Sequence, residues 1–231
     1  MGCKSIADLC ASLSKPRKVM MLVKAGQPVD DFIEQLLPYL EPGDIVIDGG
    51  NSLFGDTDRR VKYLESKGFQ YIGTGVSGGE EGARRGPSIM PGGSPSAWPA
   101  VKPIFQGISA KVEGGAPCCD WVGDGGAGHY VKMVHNGIEY GLMQAYAEGF
   151  ELMEASDLVT DVPGVIQAWS RGTVVRSWLL DLLVDARLQK RDITPDLRHL
   201  ARFTIGLGPA FQGGGNCDVA IETRPDIAGA V

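Results

Sequence analysis

The stretch that decides the predicted fold is Ile45-Val46-Ile47-Asp48-Gly49-Gly50-Asn51-Ser52. Its apolar run predicts a strand buried on both faces, and Asp48-Gly49-Gly50 predicts the turn that ends this strand. An earlier apolar run over residues 18–23 lies between Pro16 and Ala25-Gly26, which bound it in the same way. We therefore expect two buried strands whose ends lead into glycine-containing loops.

Helices and further strands alternate with these two strands along the first half of the chain. In chain order we predict helices at residues 5–14, 28–40 and 56–67, a strand at 69–72, a helix at 96–106 and a short strand at 110–112. Ser5 and Asp8 are spaced as a capping box at the start of the first helix. This alternation predicts parallel βαβ units with right-handed crossovers, and therefore an α/β protein.

Only helices are predicted from Gly126 onwards until the periodicity fades. One long helix runs to about Ala155, and a second covers residues 163–187. In the last part of the chain, Gly206-x-Gly208 imitates a phosphate-binding turn. No clear helix follows it, and Pro209 lacks the N–H that such a turn needs. We expect a loosely ordered tail there.

Three predicted loops follow strands and contain small or polar residues: Val23-Lys24-Ala25, Asp48 to Ser52, and Ser77 to Gly79. Tight turns alone would also explain their glycines. Ligands of open parallel sheets, however, bind beyond the carboxyl ends of the strands. Because three such loops occur in succession, we predict that they line a ligand-binding site.

The helix that starts near Gly126 carries a lysine, an amide and a carboxylate on one face. At about 100° per residue, Glu139 lies about 20° around the helix from Lys132, and Asn136 lies between them along the chain. A base, a positioning amide and an acid directed at one substrate explain this pattern, and a solvated polar face with a Lys–Glu pair is the alternative. His135 and Tyr140 flank the face. His129 is interpreted as a cap of the helix start and is left outside the predicted site.

Three segments resemble 6-phosphogluconate dehydrogenase, the decarboxylating enzyme of the pentose phosphate pathway. Residues 126–144 resemble its catalytic helix, Asp48 to Ser52 its Asp-Gly-Gly-Asn-Ser motif, and residues 75–93 its substrate loop. The motifs are long and follow the family's order, and the resemblance extends from about residue 5 to residue 187. It implies a partial Rossmann-type parallel sheet followed by an all-helical segment.

The resemblance implies a reaction as well as a fold. The family oxidises 6-phospho-D-gluconate at C3 with NADP and then releases the C1 carboxylate as CO2, which leaves ribulose 5-phosphate. Lys132 is implied to take the C3 hydroxyl proton, for which it must be neutral, and then to protonate the 3-keto oxygen. Glu139 is implied to protonate C1 of the resulting enediol, for which it must itself hold a proton.

The same motifs imply which residues bind the substrate and the cofactor. The implied substrate-binding residues are Asn51, Ser77, Gly78, Gly79, His135, Asn136 and Tyr140. Ser77 and the two glycines are assigned to the substrate carboxylate, and Tyr140 to the phosphate. The backbone of Val23, Lys24 and Ala25 would border the NADP, and Asn51 would lie between substrate and nicotinamide.

The resemblance also predicts a domain organisation. Residues 1–125 correspond to a truncated nucleotide-binding domain, residues 126–190 to a helical catalytic segment, and residues 191–231 to a divergent tail. The family opens with a strand, a Gly-x-Gly-x-x-Gly turn and a helix that binds the pyrophosphate, and we expect the chain to begin after that unit. Much of the C-terminal helical domain is also expected to be absent. The family implies a homodimer, and the choice of NADP over NAD depends on the family alone.

Composition narrows the class of protein. The 231 residues carry a formal net charge of −6, which argues against nucleic acid as the main partner. No apolar run approaches the ~18 residues of a membrane span, and no signal peptide is predicted. Five irregularly spaced cysteines predict reduced thiols in a cytoplasmic protein, and three histidines without ligand spacing predict no metal site.

Two rival functions stay open at this point. Another β-hydroxyacid dehydrogenase, such as one acting on hydroxyisobutyrate, would share a catalytic lysine and a nearby asparagine but should not need Glu139 and Tyr140. A non-catalytic sugar-phosphate-binding or dimerisation module is the rival of another class. The expected lack of the Gly-x-Gly-x-x-Gly turn favours that module, whereas the Lys132, Asn136 and Glu139 set opposes it.

Overall fold

A computed structural model describes residues 2–180, 205–207 and 219–221 of the chain. The chain divides into two compact units, Met1–Gly137 and Ile138–Val231. Among the described residues, no helix is both long and apolar enough to cross a membrane. The predicted boundaries near residues 125 and 190 stay predictions.

The first unit is an α/β structure built around one sheet. Its strands are β1 (Lys18–Met21), β2 (Ile45–Asp48), β3 (Gln70–Ser77), β4 (Ser88–Gly93) and β5 (Gly123–Asp124). Its helices are α1 (Ile6–Ser12), α2 (Gln27–Leu36), α3 (Phe54–Ser66), α4 (Gly79–Arg85) and α5 (Trp98–Ile108), with short 3₁₀ turns at Leu37–Tyr39 and Pro95–Ala97. Helix α6 (Ala127–Ala155) begins in this unit and continues into the second. The predicted α/β fold with a Rossmann-type sheet is confirmed.

The five strands are ordered β1-β2-β3-β4-β5. Strands β1, β2 and β3 are parallel, with Met21 level with Asp48 and Asp48 level with Gly73. The carboxyl ends of β1 and β2 therefore meet at one edge of the sheet, where the loops after them lie side by side. Helices α2 and α3 connect these three strands, as the sequence pattern predicts.

Strand β4 departs from the predicted all-parallel arrangement. It pairs antiparallel with β3 over Ile72–Ser77, and β5 then pairs parallel with β4. The sequence Pro91-Gly92-Gly93 has the composition of a loop, so local propensity does not indicate a strand there. Pairing with β3, which continues to Ser77 rather than ending at residue 72, provides the hydrogen bonds that make it one.

Two smaller predictions are corrected by the structure. Residues 110–112 form no strand, because only Lys111 makes an isolated bridge, to Pro117. The helix predicted at 163–187 is interrupted: α7 (Val162–Trp169) ends in a turn, helix resumes at residues 178–180, and residues 181–187 lie outside the described part. The cap predicted for the first helix is confirmed, since the Ser5 hydroxyl accepts from the Asp8 N–H at 3.1 Å.

Two apolar clusters stabilise the first unit through the burial of hydrophobic area. One packs α1, α2 and α3 against the sheet and includes the fully buried Leu36, Val46 and Leu64. The other packs α5 against the sheet around Ile72 and Phe105. Helices thus cover the sheet, and Val46 and Ile72 of its central strands are completely inaccessible.

The second unit has a small apolar cluster of its own, formed by Phe150, Val162, Ile166 and Leu180. The Tyr146 hydroxyl donates to the Val175 carbonyl at 2.8 Å. Two short parallel strands, β6 (Ile205–Leu207) and β7 (Val219–Ile221), are described further along, and Gly206 lies in β6. The rest of the predicted loose tail at 191–231, including Gly208 and Pro209, lies outside the described residues.

Candidate active site

The loop after β2 is shaped by a buried carboxylate. Asp48, which is 0% exposed, accepts from the Gly50 N–H at 3.0 Å with Oδ1. Its Oδ2 accepts from the Ser52 hydroxyl at 2.6 Å and from the Tyr71 hydroxyl at 3.1 Å. A buried carboxylate needs this many donors, because each unpaired oxygen would carry a desolvation cost. The bonds fix the backbone of this loop, in which Asn51 is exposed.

A buried arginine of α3 connects this loop with the one after β1. Arg60 donates to both carboxylate oxygens of Asp30, at 2.9 and 3.0 Å. It also donates to the Gly26 carbonyl at 3.0 Å and to the Ser52 hydroxyl at 3.4 Å. The hydrogen bonds from Arg60 lower the pKa of Asp30 to about 2, so that carboxylate is charged at neutral pH.

Glycines allow the first turns of α6 to lie directly on the sheet. A side chain at Gly128 would collide with backbone atoms of Gly73, Met90 and Gly92. One at Gly75 would collide with the side chain of Lys132. Strands β3 and β4 together therefore form a platform of small residues, and the start of α6 lies against it.

Lys132 is held over this platform by two side-chain partners. Its ammonium donates to the Ser77 hydroxyl at 3.0 Å and to the Asn136 carbonyl oxygen at 2.6 Å. His135 Nδ1 lies 3.3 Å from the same Asn136 oxygen. The structure thus joins the end of β3 to the predicted helix face. A lysine held between a hydroxyl and an amide can exchange a proton with a substrate hydroxyl placed beside it.

His129 is a residue that the sequence interpretation left out, and it belongs to the same region. It is buried, with Nδ1 2.6 Å from the Thr57 hydroxyl and Nε2 3.1 Å from the Gly50 carbonyl. Burial lowers the pKa of His129, so the ring is neutral at neutral pH. Because the Gly50 carbonyl only accepts, Nε2 carries the proton and Nδ1 accepts from Thr57. His129 therefore holds the loop after β2 rather than merely capping α6.

An open cavity of about 550 Å³ lies at the carboxyl edge of the sheet in the first unit. The lining residues come from the loop after β1, the loop after β2 with the start of α3, and the start of α6: Ala25, Gly26, Asn51, Ser52, Leu53, Phe54, Asp56, His129, Lys132, Met133 and Asn136. Its volume lies within the range of small-molecule sites. Ala25, Asn51, Lys132 and Asn136 are thereby brought to one space, as their predicted roles require.

The remaining predicted site residues do not line this cavity. Val23 places its carbonyl beside Gly50, whereas Lys24 is exposed in the same loop. Gly78 and Gly79 both have positive φ, at 143° and 54°, where β3 turns into α4, a conformation that favours glycine. Glu139 and Tyr140 follow on α6 in the second unit, and their roles stay predictions.

No group of three or more His, Cys, Asp or Glu side chains in the described ranges is placed to hold a metal ion. Of the described cysteines, Cys10 and Cys119 are buried, and burial raises the pKa of Cys119 to about 11. These thiols pack in the two apolar clusters of the first unit.

Two family models match the chain. The one described as the NAD binding domain of 6-phosphogluconate dehydrogenase matches residues 1–123, and the one for the C-terminal domain of the same enzyme matches residues 128–201. The matches meet near the start of α6. Together they cover most of the chain.

Similar proteins share long stretches of the sequence. The chain is 60% identical over 186 residues to the Haemophilus influenzae protein named 6-phosphogluconate dehydrogenase, decarboxylating, across 80% of this chain and 38% of that protein. It is 60% identical over 167 residues to the human protein of that name, across 72% and 33% of the two chains. The chain therefore spans well under half the length of these relatives.

Solved structures give the same family. Plasmodium falciparum 6-phosphogluconate dehydrogenase, solved in its apo form, with its cofactor NADP+ and with its substrate 6-phosphogluconate, aligns with a TM-score of 0.78 and 43% identity over 84% of this chain and 41% of that one. Mycobacterium tuberculosis 3-hydroxyisobutyrate dehydrogenase aligns at 0.59 with 23% identity over 70% of this chain and 53% of that one, which shows a shared fold alone. By family model, sequence identity and fold, the chain belongs to the 6-phosphogluconate dehydrogenase family.

Proposed function

We propose that this chain carries the site for NADP-dependent oxidative decarboxylation of 6-phospho-D-gluconate to ribulose 5-phosphate and CO2. The observation that carries the proposal is the placement of Lys132 between Ser77 and Asn136 beside a cavity that Asn51 and Ala25 also line. Membership of the family and the named ligands of its Plasmodium falciparum relative support the assignment. The rival β-hydroxyacid dehydrogenase shares the fold at 23% identity, and no contact described in this chain favours it.

Lys132 is proposed as the proton carrier of both steps. In neutral form it takes the proton of the C3 hydroxyl as hydride leaves C3, and it then returns a proton to the 3-keto oxygen as the C1 carboxylate leaves as CO2. Its bonds to Ser77 and Asn136 hold the nitrogen in one position, which such a transfer requires. Glu139 is proposed to protonate C1 of the enediol that results.

The remaining polar residues are proposed to orient the sugar acid. His135 and Asn136 would hold the substrate hydroxyls and carboxylate, and His135 Nδ1 lies 3.3 Å from Asn136 Oδ1. Ser77 with the backbone at Gly78 and Gly79 would bind the carboxylate end. Tyr140, 68% exposed on α6, would contact the phosphate.

The chain's own loops fit the nicotinamide end of a dinucleotide. Gly26 has φ 89° and open space where a side chain would stand, and Asn51 is exposed at the opposite loop. The backbone of Val23, Lys24 and Ala25 would border the NADP, and Asn51 would lie between it and the substrate. When bound, the cofactor would supply the hydride acceptor. Family membership supports NADP rather than NAD, and we extend the proposal to a cytoplasmic homodimer.

Separate calorimetric titrations with NADP and with 6-phosphogluconate test the proposal. We expect both to bind. If the sugar phosphate alone binds, the chain is the non-catalytic sugar-phosphate module instead, and if neither binds the proposal is wrong.

Turnover is tested with Lys132→Ala. We expect the rate to fall by about 10²–10⁴-fold, as for loss of a general acid–base group. Lys62→Ala is the matched control, because Lys62 is an exposed lysine of α3 paired with Asp58. Unchanged turnover in Lys132→Ala would mean that the measured activity comes from a contaminant.

A further inference from the structure

Arg60 occupies an unusual position for a residue of a charged helix. Its side chain is only 1% exposed, and it lies behind the two loops that end β1 and β2. Its guanidinium reaches Asp30 of α2, the Gly26 carbonyl of the first loop and the Ser52 hydroxyl of the second. Asp48 lies 3.9 Å away on the same side. Two separate segments of the chain, residues 26–30 and residues 48–52, thus converge on the cation that α3 carries.

We propose that Arg60 is a positioning residue for the nicotinamide cofactor, because its guanidinium fixes the spacing between the residue 23–26 loop and the residue 48–52 loop. The inference rests on the proposed function, since those loops carry the residues proposed to border the NADP. Arg60 does not line the cavity itself. It acts through Gly26 and Ser52, which do.

The chemistry of the contacts calls for arginine rather than for any cation. Nε and Nη2 form a bidentate pair with Asp30, Nη2 also reaches Gly26, and Nη1 reaches Ser52. A planar guanidinium directs its donors in fixed directions, whereas a lysine offers one flexible nitrogen. An ammonium at this place could keep the charge next to Asp30 but could not hold both loops at once.

Asp30 in turn holds the Arg60 guanidinium in place, because both of its oxygens accept a hydrogen bond from it. It also accepts from the half-exposed Arg59, at 2.9 Å, so its two oxygens serve two arginines. Asp30 belongs to α2 and does not line the cavity. It therefore offers a milder way to loosen Arg60 without touching a residue of the site.

Arg17 provides a matched control within the same sheet. It is also buried and also bonds an aspartate, Asp44, at 2.8 Å. It lies at the amino ends of β1 and β2, however, and bonds no cavity-lining residue. Arg17→Lys therefore perturbs a buried ion pair of the same chemistry while leaving both loops in place.

The test compares Arg60→Lys, Asp30→Asn and Arg17→Lys with the unmodified chain by calorimetry and by backbone hydrogen exchange. We expect Arg60→Lys to lower the affinity for NADP by about tenfold, as for the loss of one hydrogen bond to a charged group. The affinity for 6-phosphogluconate should change much less. Exchange should accelerate in residues 23–26 and 48–52 together. Asp30→Asn should show the same pattern at smaller size, and Arg17→Lys should show neither change.

The outcomes separate the inference from the proposed function. If the loops of Arg60→Lys exchange as in the unmodified chain, or if Arg17→Lys weakens NADP as much, the positioning role is overturned. If Arg60→Lys fails to fold, unmodified NADP affinity in Asp30→Asn overturns it equally. If the unmodified chain binds no NADP, the proposed function fails, and with it the assignment of these loops to the cofactor.

Discussion

The two ends of the sheet carry the same kind of ion pair in different settings. At the amino ends of β1 and β2, Arg17 donates to Asp44, and Asp44 also accepts from the Arg17 and Glu41 backbone N–H groups. At the carboxyl ends, Arg60 pairs with Asp30 and approaches Asp48. Both arginines are buried. Of the two arginines, only Arg60 has hydrogen-bond partners that line the cavity described above.

The difference lies in where the remaining hydrogen bonds go. Arg17 uses its Nε on the Cys10 carbonyl, which belongs to a helix packed in the core. Arg60 uses its free donors on two loops that leave the sheet. At the amino ends of the strands, the arginine therefore ties the sheet to a helix of the core. At the carboxyl ends, the arginine instead holds the backbone of two loops that line a cavity. A buried arginine is evidence for a site only when its partners face one.

The largest expected effect separates the two pairs by stability. Arg60→Met and Arg17→Met should each lower the free energy of unfolding by about 3–5 kcal/mol, since each removes the buried cation of an ion pair. The loss should be greater for Arg60, because its side chain is 1% exposed, whereas the Arg17 side chain is 11% exposed and its second carboxylate partner, Glu41, is half exposed. Urea denaturation measures both. Equal losses would mean that the two ends do not differ as described.

A smaller effect tests the platform under α6. Gly128→Ala should destabilise the chain by about 1–3 kcal/mol, because its Cβ meets backbone atoms of β3 and β4. Gly107→Ala in α5 is the control, since a Cβ there meets nothing within 4 Å, and it should stabilise slightly. The melting temperatures of both variants, measured by thermal unfolding, test this prediction. Equal melting temperatures would contradict the close approach of α6 to the sheet.

As the pH falls, the carboxyl ends of the strands, where His129 holds the Gly50 carbonyl, should lose stability before the amino ends. The folded-state pKa of His129 lies below its usual value of about 6.5, so the unfolded chain binds the proton more readily. Stability from this residue is therefore complete above pH ~6.5 and declines as the pH falls through the folded pKa. The slope of unfolding free energy against pH below 6.5 should be shallower in His129→Gln. An unchanged slope would show that His129 is not buried in neutral form.

The smallest effect is expected at the rim of the amino end. Lys15 pairs with Glu41 at 2.6 Å, but both side chains are more than half exposed. Lys15→Ala should change the unfolding free energy by no more than about 0.5 kcal/mol, and less at high salt. Urea curves at two salt concentrations provide the check. If Lys15→Ala lowered the unfolding free energy as much as Arg17→Met, the exposed Lys15–Glu41 pair would stabilise the chain as strongly as the buried Arg17 pair does.

Much of the scaffold could be predicted because its signals are local. The apolar runs that become β1 and β2, the Ser5 cap and the helical pattern from Gly126 to Ala155 each depend on neighbouring residues. The loops that follow β1 and β2 are predicted from the same two runs. The assignment to 6-phosphogluconate dehydrogenase is confirmed by the family match. The residue roles within the site stay predictions.

Strand β4 could not be predicted, because its partner decides it. Pro91-Gly92-Gly93 reads as a loop until β3 provides hydrogen bonds along its edge. The glycines that suggest a loop are required for a different reason, namely the contact of Gly92 with the start of α6. Residues far apart in sequence therefore reversed a local preference.

Periodicity over a few residues is enough to predict the alternation of strands and helices, the loops at the strand ends and the polar face of α6. Contacts between distant parts of the chain, by contrast, are what bring Arg60 and His129 into this region. Their partners Gly26 and Thr57 lie 34 and 72 residues away, so neither contact leaves a local pattern. In the sequence, Arg60 looks like a solvated residue of an amphipathic helix, and His129 looks like a helix cap. In the folded chain both are buried. Burial, which depends on the whole chain, turns both into supports of the loops.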